Sequence, residues 1–596
     1  MLSRGLIVSL TLAFLGDDCV FAAEAAANPW PPPQSSVEWS GPTVHRAGNI
    51  HLQLLGFNDF HGNLLVPGTS SARPVGGAAA LAAYLKSAQR AAPGRTLILH
   101  AGDQLGASPP ATRLLRNEPG IEFLNLLANK NCHAGKAIRP VNANQWRTHP
   151  NRCNVVGTLG NHEFDAGTDE IRRLLEGGNA PDGPFLENPY RGSRVPYVCA
   201  NVRDRRTGQL LLPAYTVVTM GSVPVGVIGA VLRDTPSIVP AWAVRDVEFL
   251  DEAQSINQAA AELERQGIHT LVVIIHQGLT PVATDSGLEF RGPLRELVAK
   301  LDPDIDVVVS GHTHNYTNAL LPSRDGTPVL VTQAYSYGVA FAQIDLQIDP
   351  VSRDVVAKSA RIVPVWADAA PGLPGDPDAR RLVQAAQSLV ADRISRVVAT
   401  LPQPMTRAVS AAGESALGDL VADAQRAATH ADIALMNPGG LRSDLRAGPV
   451  TWGDILTLHP FANHLVTLDL TGRQLLSVLE EQWPHEPEEP TRILKTSGLY
   501  YSWDATKSPG AHIQKACDGT GRPIDPGHHY RVTMSDFLAG GGDGFALLPS
   551  MGPAEPGPLD SEALAQYLQN PESAARSIGP RLSRVDLAGQ GVCGGD

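Results

Sequence analysis

Metal-binding side chains recur in one setting along the first half of this 596-residue chain, each just after an apolar run. "LLGFNDFHGN" closes on Asp59 and His61, "TLILHAGD" on Asp103, "VVGTLGNHE" on Asn161, "TLVVIIHQG" on His276, and "VVVSGHTH" on His312 and His314. Taken singly, a His after a strand is a structural residue and an Asp after a Gly is a turn or cap; the repetition of one form five times argues for ligands. Imidazoles with carboxylate and carboxamide oxygens, and no thiolate, suit borderline or hard divalent ions such as Zn, Mn, Co or Fe. Seven donors exceed the needs of one zinc and match two ions if a carboxylate bridges them, with Asp103 the natural bridge. Such a pair, roughly 3.5–4 Å apart, lowers the pKa of a bound water and neutralises phosphoryl oxygens. The expected chemistry is attack of metal-activated hydroxide on phosphorus.

These donors meet only if each run is a strand of one sheet system, because ligands of α/β sheets gather outside the carboxyl ends of the strands. Residues two apart on extended chain point to one side, which pairs Asp59 with His61 and His312 with His314. From about residue 50 to 365, β-type runs alternate with helical patterns such as "VGGAAALAAYLKSAQR" and "SINQAAAELERQG", predicting an α/β layered domain. The Pro/Gly cluster "AAPGLPGDPDAR" then precedes a helical segment predicted over about 379–399, read as an inter-domain spacer. A second α/β segment follows from about 403 to 585 and carries further candidates. "ALMNPGGLRSDL" contains Asn437, Gly440 and Arg442: glycines let backbone approach a ligand, and an arginine can fork a phosphate. Phe461 follows a proline, and Phe537 precedes a Gly-rich loop holding Asp543. On residue type alone both Phe are core residues.

"DFH", "GDQLGASP", "GNHEFD", "VIIHQG" and "SGHTH", in that order, resemble the calcineurin-like metallophosphatases, and with the second segment the chain resembles the bacterial 5′-nucleotidase/UDP-sugar hydrolase family. The resemblance implies a four-layer α/β/β/α metallophosphoesterase sandwich followed by a second, smaller α/β substrate-specificity domain. It implies that Asp59, His61, Asp103 and His314 hold one ion and Asp103, Asn161, His276 and His312 the other. It assigns His162 to the transferred phosphoryl group or leaving oxygen, with Asp165 orienting the ring and favouring its protonated form; the alternative for Asp165 is a helix N-cap before Gly167-Thr168. In the second domain it implies that Phe461 and Phe537 sandwich a nucleobase, that Asn437 and Asp543 contact base or ribose, and that Arg442 contacts phosphate. The domains then read as 1–25 signal peptide, 26–47 extended leader, 48–365 phosphoesterase domain, 366–402 linker with helix, 403–585 5′-nucleotidase C-terminal domain, and 586–596 tail. The implied linker permits rotation of one domain on the other. Two features depart from the pattern. Ser410 to Gly413 are small and neutral where nucleotide-cleaving relatives carry an arginine before the equivalent of Glu414, and "NPGG" stands for "NGGG".

Composition sets the surroundings. Charged residues make up 18% and the apolar set 43%, ordinary for a globular protein. A net charge of −12 speaks against a nucleic-acid polymer as partner, since such binders carry basic faces. A small-molecule nucleotide is the expected partner, and the protein is expected to be a monomer or weak oligomer. Arg4 followed by the short apolar "GLIVSLTLAFLG" reads as a cleaved export signal, so a periplasmic or secreted protein without membrane insertion is expected. Export makes a Cys132–Cys153 disulfide plausible, with Cys517–Cys593 as a second pair and Cys199 a buried free thiol. The reading is an exported hydrolase of nucleoside 5′-phosphates, with UDP-sugars and cyclic nucleotides as further substrates. The alternatives are a thiosulfohydrolase-like enzyme on the same fold and a secreted binding protein with a non-catalytic site.

Overall fold

The computed structural model describes residues 36–41, 48–70, 73–133, 147, 150–284, 287–483, 491–575, 580–587 and 593. The expected export signal lies outside these residues. Of the expected leader, Val37–Ser40 forms an edge strand antiparallel to Val355–Pro364.

Two six-stranded sheets make the first domain. One runs in the order Val37–Ser40, Val355–Pro364, Ala340–Ile348, Ile50–Phe57, Thr96–His100, Val155–Gly157, and its last three strands are parallel. The other runs Tyr316–Pro322, Pro328–Ala334, Ile305–Ser310, Thr270–His276, Val223–Val231, Tyr215–Met220, with its four inner strands parallel. Continuous β-branched runs such as "TLVVIIH" are buried throughout, as parallel strands covered on both faces must be. Alternation along the first sheet separates two cores. Leu52, Leu54, Leu97 and Leu99 face the second sheet, whereas Leu55, Phe57, Ile98 and Val155 face the helices Ala78–Ala91, Glu118–Leu127 and Thr168–Glu176. Helix Glu252–Arg265 covers the far face of the second sheet, where Leu263 packs over Gly226. These are the four layers α/β/β/α.

Helix Pro377–Ile394 starts at Asp376, whose carboxylate accepts from the amides of Asp378 and Ala379 and pairs with Lys86 at 2.9 Å. It is shorter than the predicted span to 399. After Ser395 the β-branched Val397-Val398 pair enters strand Val397–Leu401, which ladders with Gly448–Thr451 and draws the chain away from the helix. The helix buries Ala379, Leu382, Ala386 and Val390 in the outer core of the first domain.

The second domain is built on a mixed sheet in the order Lys495–Ser497, Ile433–Met436, His529–Ser535, His464–Thr471, Glu555–Leu559. Ile433 and Leu435 face helix Gly472–Glu480, and Ala434 and Met436 face helix Ala416–Thr429. Disulfides join Cys132 to Cys153 and Cys517 to Cys593, and Cys199 is a buried free thiol. Among the described residues no helix is long and apolar enough to cross a membrane.

Candidate active site

Three of the strands end before their donors begin, whereas His276 is the last residue of strand Thr270–His276. Strand Ile50–Phe57 stops two residues short of Asp59, Thr96–His100 three short of Asp103, and Ile305–Ser310 two short of His312. Past each end the backbone turns left-handed: φ is 49° at Asp59 and at His61, 52° at Asp103, 79° at His312 and 56° at His314. Non-glycine residues rarely adopt this region, and such outliers gather at functional sites. Asp59 with His61, and His312 with His314, therefore converge through tight turns and not through the side-to-side alternation of extended chain. Gly160 serves the same crowding: a Cβ there would collide with the carboxylate of Asp103.

All seven predicted donors come together where the carboxyl ends of both sheets meet. Asp59, His61, Asp103 and Asn161 come from the first sheet, and His276, His312 and His314 from the second. Nε2 of His314 lies 3.2 Å from Asp59 Oδ1 and 3.1 Å from His61 Nε2. Nε2 of His276 lies 3.0 Å from Asp103 Oδ2 and 3.2 Å from Asn161 Oδ1, which is also 3.1 Å from His312 Nδ1. His61 Nε2 lies 3.6 Å from Asp103 Oδ2.

A divalent cation fits this donor set. The Nδ1 atoms of His61 and His276 each lie 2.9 Å from a backbone carbonyl, of Gly106 and Ala101. Nδ1 can donate there, which leaves each Nε2 lone pair facing inward, as metal-binding imidazoles are held. Among the described residues no lysine or arginine pairs with Asp59 or Asp103. Burial pushes His61 down to about 3 and His312 to about 4. At His276 burial acts the same way but is outweighed by Asp103 and Asp59, which bring it up to about 10. The carboxylates thus demand positive charge inside the cluster, and a cation among them meets that demand.

Beside the cluster, His162 Nδ1 lies 2.9 Å from Asp165 Oδ2 and 3.1 Å from Oδ1. Burial opposes the charged ring, yet Asp165 and Asp103 hold its pKa above the ordinary value. Helix Thr168–Glu176 has Gly167 at its N-cap with no side-chain cap bond, so the alternative role for Asp165 is not the one it plays. A cavity of about 180 Å³ opens against His162, Asp165, Asn161 and His312, and its opposite wall is Asn437, Gly440, Arg442, Phe461, Phe537 and Asp543. Every second-domain candidate therefore shares one cavity with the dyad. Asn437 Nδ2 donates to Asp543 Oδ2 at 2.7 Å, and the Arg442 guanidinium lies 5.8 Å from the centre of the Phe461 ring. The Phe537 ring lies flat on Gly542, where any Cβ would strike it; this is the use of the Gly-rich loop.

Sequence reasoning missed several residues. Glu163, buried, accepts from the amides of Asp103 (3.0 Å), Leu105 (3.1 Å) and Gly160. Its signal was present as one more carboxylate in "GNHEFD", with no chemistry to claim it. Asn58 Oδ1 accepts from the Ala334 amide at 2.9 Å and its Nδ2 donates to Asp59 Oδ2 at 2.6 Å. Ile238 and Pro240, from the first domain, also line the cavity; nothing local marks them.

Residues 52–316 match the family described as calcineurin-like phosphoesterase, and residues 397–550 match the 5′-nucleotidase C-terminal domain. The chain is 33% identical over 537 residues to an endonuclease of Bacillus subtilis, covering 88% of this chain and 40% of that protein. It is 31% identical over 586 residues to a cell wall protein of Listeria monocytogenes, covering 91% of this chain and 70% of that one. The chain thus spans well under half the length of the first relative. Among solved structures, a 5′-nucleotidase precursor from Thermus thermophilus superposes with a TM-score of 0.70 at 27% identity, covering 90% of this chain and 99% of that one.

Proposed function

The chain belongs to the calcineurin-like phosphoesterases that carry a 5′-nucleotidase C-terminal domain, a family of metal-dependent phosphoester hydrolases, and on that premise we propose that it is an exported enzyme with two divalent ions that hydrolyses nucleoside 5′-phosphates. The observation that carries the reading is the single cavity walled by His162, Asn161 and His312 on one side and by Arg442, Phe461 and Phe537 on the other. In the proposal Asp59, His61, Asp103 and His314 hold one ion, and Asp103, Asn161, His276 and His312 the other. When bound, the ions supply Lewis acidity toward phosphoryl oxygens and an activated water.

The chain's own residues do the rest. Arg442 pairs with phosphate oxygens, drawing an anion into an acidic protein. Phe461 and Phe537 stack on the base, worth about 1–3 kcal/mol per base and tolerant of base identity. Asn437 and Asp543, already bonded to each other, offer amide and carboxylate groups to base or ribose. His162 holds a proton on Nε2 while Asp165 grips Nδ1, and it gives that proton toward the leaving oxygen as the ester bond breaks. UDP-sugars and cyclic nucleotides are the further substrates proposed.

The endonuclease similarity favours one second reading, cleavage of a polynucleotide phosphodiester; the net charge of −12 and a cavity of about 180 Å³ favour the small substrate. Purified protein is assayed for product release from AMP, UDP-glucose, bis-p-nitrophenyl phosphate and a single-stranded oligonucleotide, with and without chelator, alongside metal analysis. Chelator-sensitive phosphate release from AMP is expected. Turnover of the oligonucleotide alone supports the second reading, and turnover of none refutes both.

A further inference from the structure

We infer that Phe461 is a positioning residue for the His162 imidazole, holding the plane of that ring from across the domain boundary in addition to any contact with a base. The inference rests on the hydrolase reading above. The two rings lie with centroids 5.7 Å apart and planes 20° from parallel, within the range of offset stacking. Asp165 grips His162 only at Nδ1. A ring held at one nitrogen can still swing about that hydrogen bond, which sweeps Nε2 out of line with a leaving oxygen. A flat aromatic face against the imidazole removes that freedom. His61 also meets the same ring, edge to face at 5.2 Å and 68°, so His162 contacts one ring of each domain.

The segment that carries Phe461 is itself pinned to the first domain. Arg113, which ends helix Pro110–Arg113, donates from Nη1 to the carbonyl of His459 at 2.7 Å, two residues before Phe461. The Arg442 amide donates to the adjacent Leu458 carbonyl at 3.1 Å, and its guanidinium lies 5.8 Å from the centre of the Phe461 ring. One aromatic ring therefore aligns the proton donor of one domain with the phosphate-facing cation of the other. The second domain thus does more than select the substrate, because it completes the geometry of the acid.

The two roles of Phe461 separate in kinetics. A ring that only stacks on the base binds ground and transition states alike, so its loss raises KM and leaves kcat. A ring that orients His162 lowers kcat when removed, and does so only while His162 is present. Phe461→Leu, Phe461→Tyr, His162→Ala and the double variant Phe461→Leu/His162→Ala are assayed at saturating AMP, with ribose 5-phosphate as a base-free comparison, and thermal unfolding confirms that each folds. Phe461→Leu is expected to lower kcat about tenfold in the wild-type background and by less than about twofold in the His162→Ala background, the non-additivity of coupled residues. Phe461→Tyr, which keeps the ring, is expected to restore kcat. A raised KM with unchanged kcat, or an equal kcat loss in both backgrounds, overturns the inference. A wild-type protein inactive on AMP overturns the hydrolase reading itself, a result distinct from either.

Discussion

Asp165 and Glu163 lie two residues apart in one loop and do different work. Asp165 faces the cavity and holds a ring, at 2.9 Å from His162 Nδ1. Glu163 faces inward and holds backbone, joining the turns after two strands through the amides of Asp103, Leu105 and Gly160. Burial and the neighbouring Asp103 push Glu163 up to about 7, and amide donors favour its charged form against that cost. The difference makes a prediction at Asp165. Asp165→Asn keeps the size but gives up the charge that favours a protonated His162, so kcat on AMP falls by roughly 10- to 100-fold, part of the 10²–10⁴ that a positioned acid contributes. Metal content should stay at the wild-type level, because Asp165 touches none of the seven donors; a variant that loses metal along with activity contradicts this assignment.

The elements place their functional groups through their ends. The strands that deliver donors are buried to their last residue, and past three of them the chain enters the left-handed region at Asp59, His61, Asp103, His312 and His314, whereas His276 closes its own strand. Packing of two sheets over-determines these turns and so tolerates the local cost of about 1–3 kcal/mol at each. Hydrophobic runs foretell where such a strand stops; they say nothing about the sign of φ beyond it, so convergence was legible and its geometry was not. The helix Pro377–Ile394 shows the same division. Its period is local and was readable, while its Asp376 cap was not read and its seat is tertiary: Leu382, Ala386 and Val390 lie in the first domain's outer core. Leu382→Ala should therefore destabilise by about 2–5 kcal/mol, the range for emptying a buried leucine site. A Tm unchanged from wild type would mean that the helix acts as a free spacer.

Across the whole molecule, the two domains meet at a buried polar junction. Arg113 of the first faces His459 and Asp560 of the second, with Asp536 and His464 also near Asp560. Burial pushes Asp560 up to about 7, Asp536 adds to the rise, and the Ser561 amide, Arg113 and His464 oppose it. In the unfolded chain an aspartate loses its proton near 3.9. Between those values the folded state holds a proton that the unfolded state has lost, so stability falls as pH rises, and the loss is complete above about 7. Asp560→Asn removes the titrating group, so its Tm should fall less than that of the wild type between pH 5 and pH 8; equal falls would contradict the reading. The amino-acid order alone pointed to an α/β fold and to seven candidate donors after apolar runs, because hydrophobic period and residue chemistry are local properties; the four layers, the roles of His162 and Asp165 and the second-domain contacts followed only from the resemblance to a known family. The order could not determine that the donors come from two sheets, that five of them sit at positive φ, or that Phe461 lies on His162. Those depend on how distant segments pack, and tertiary structure alone decided them.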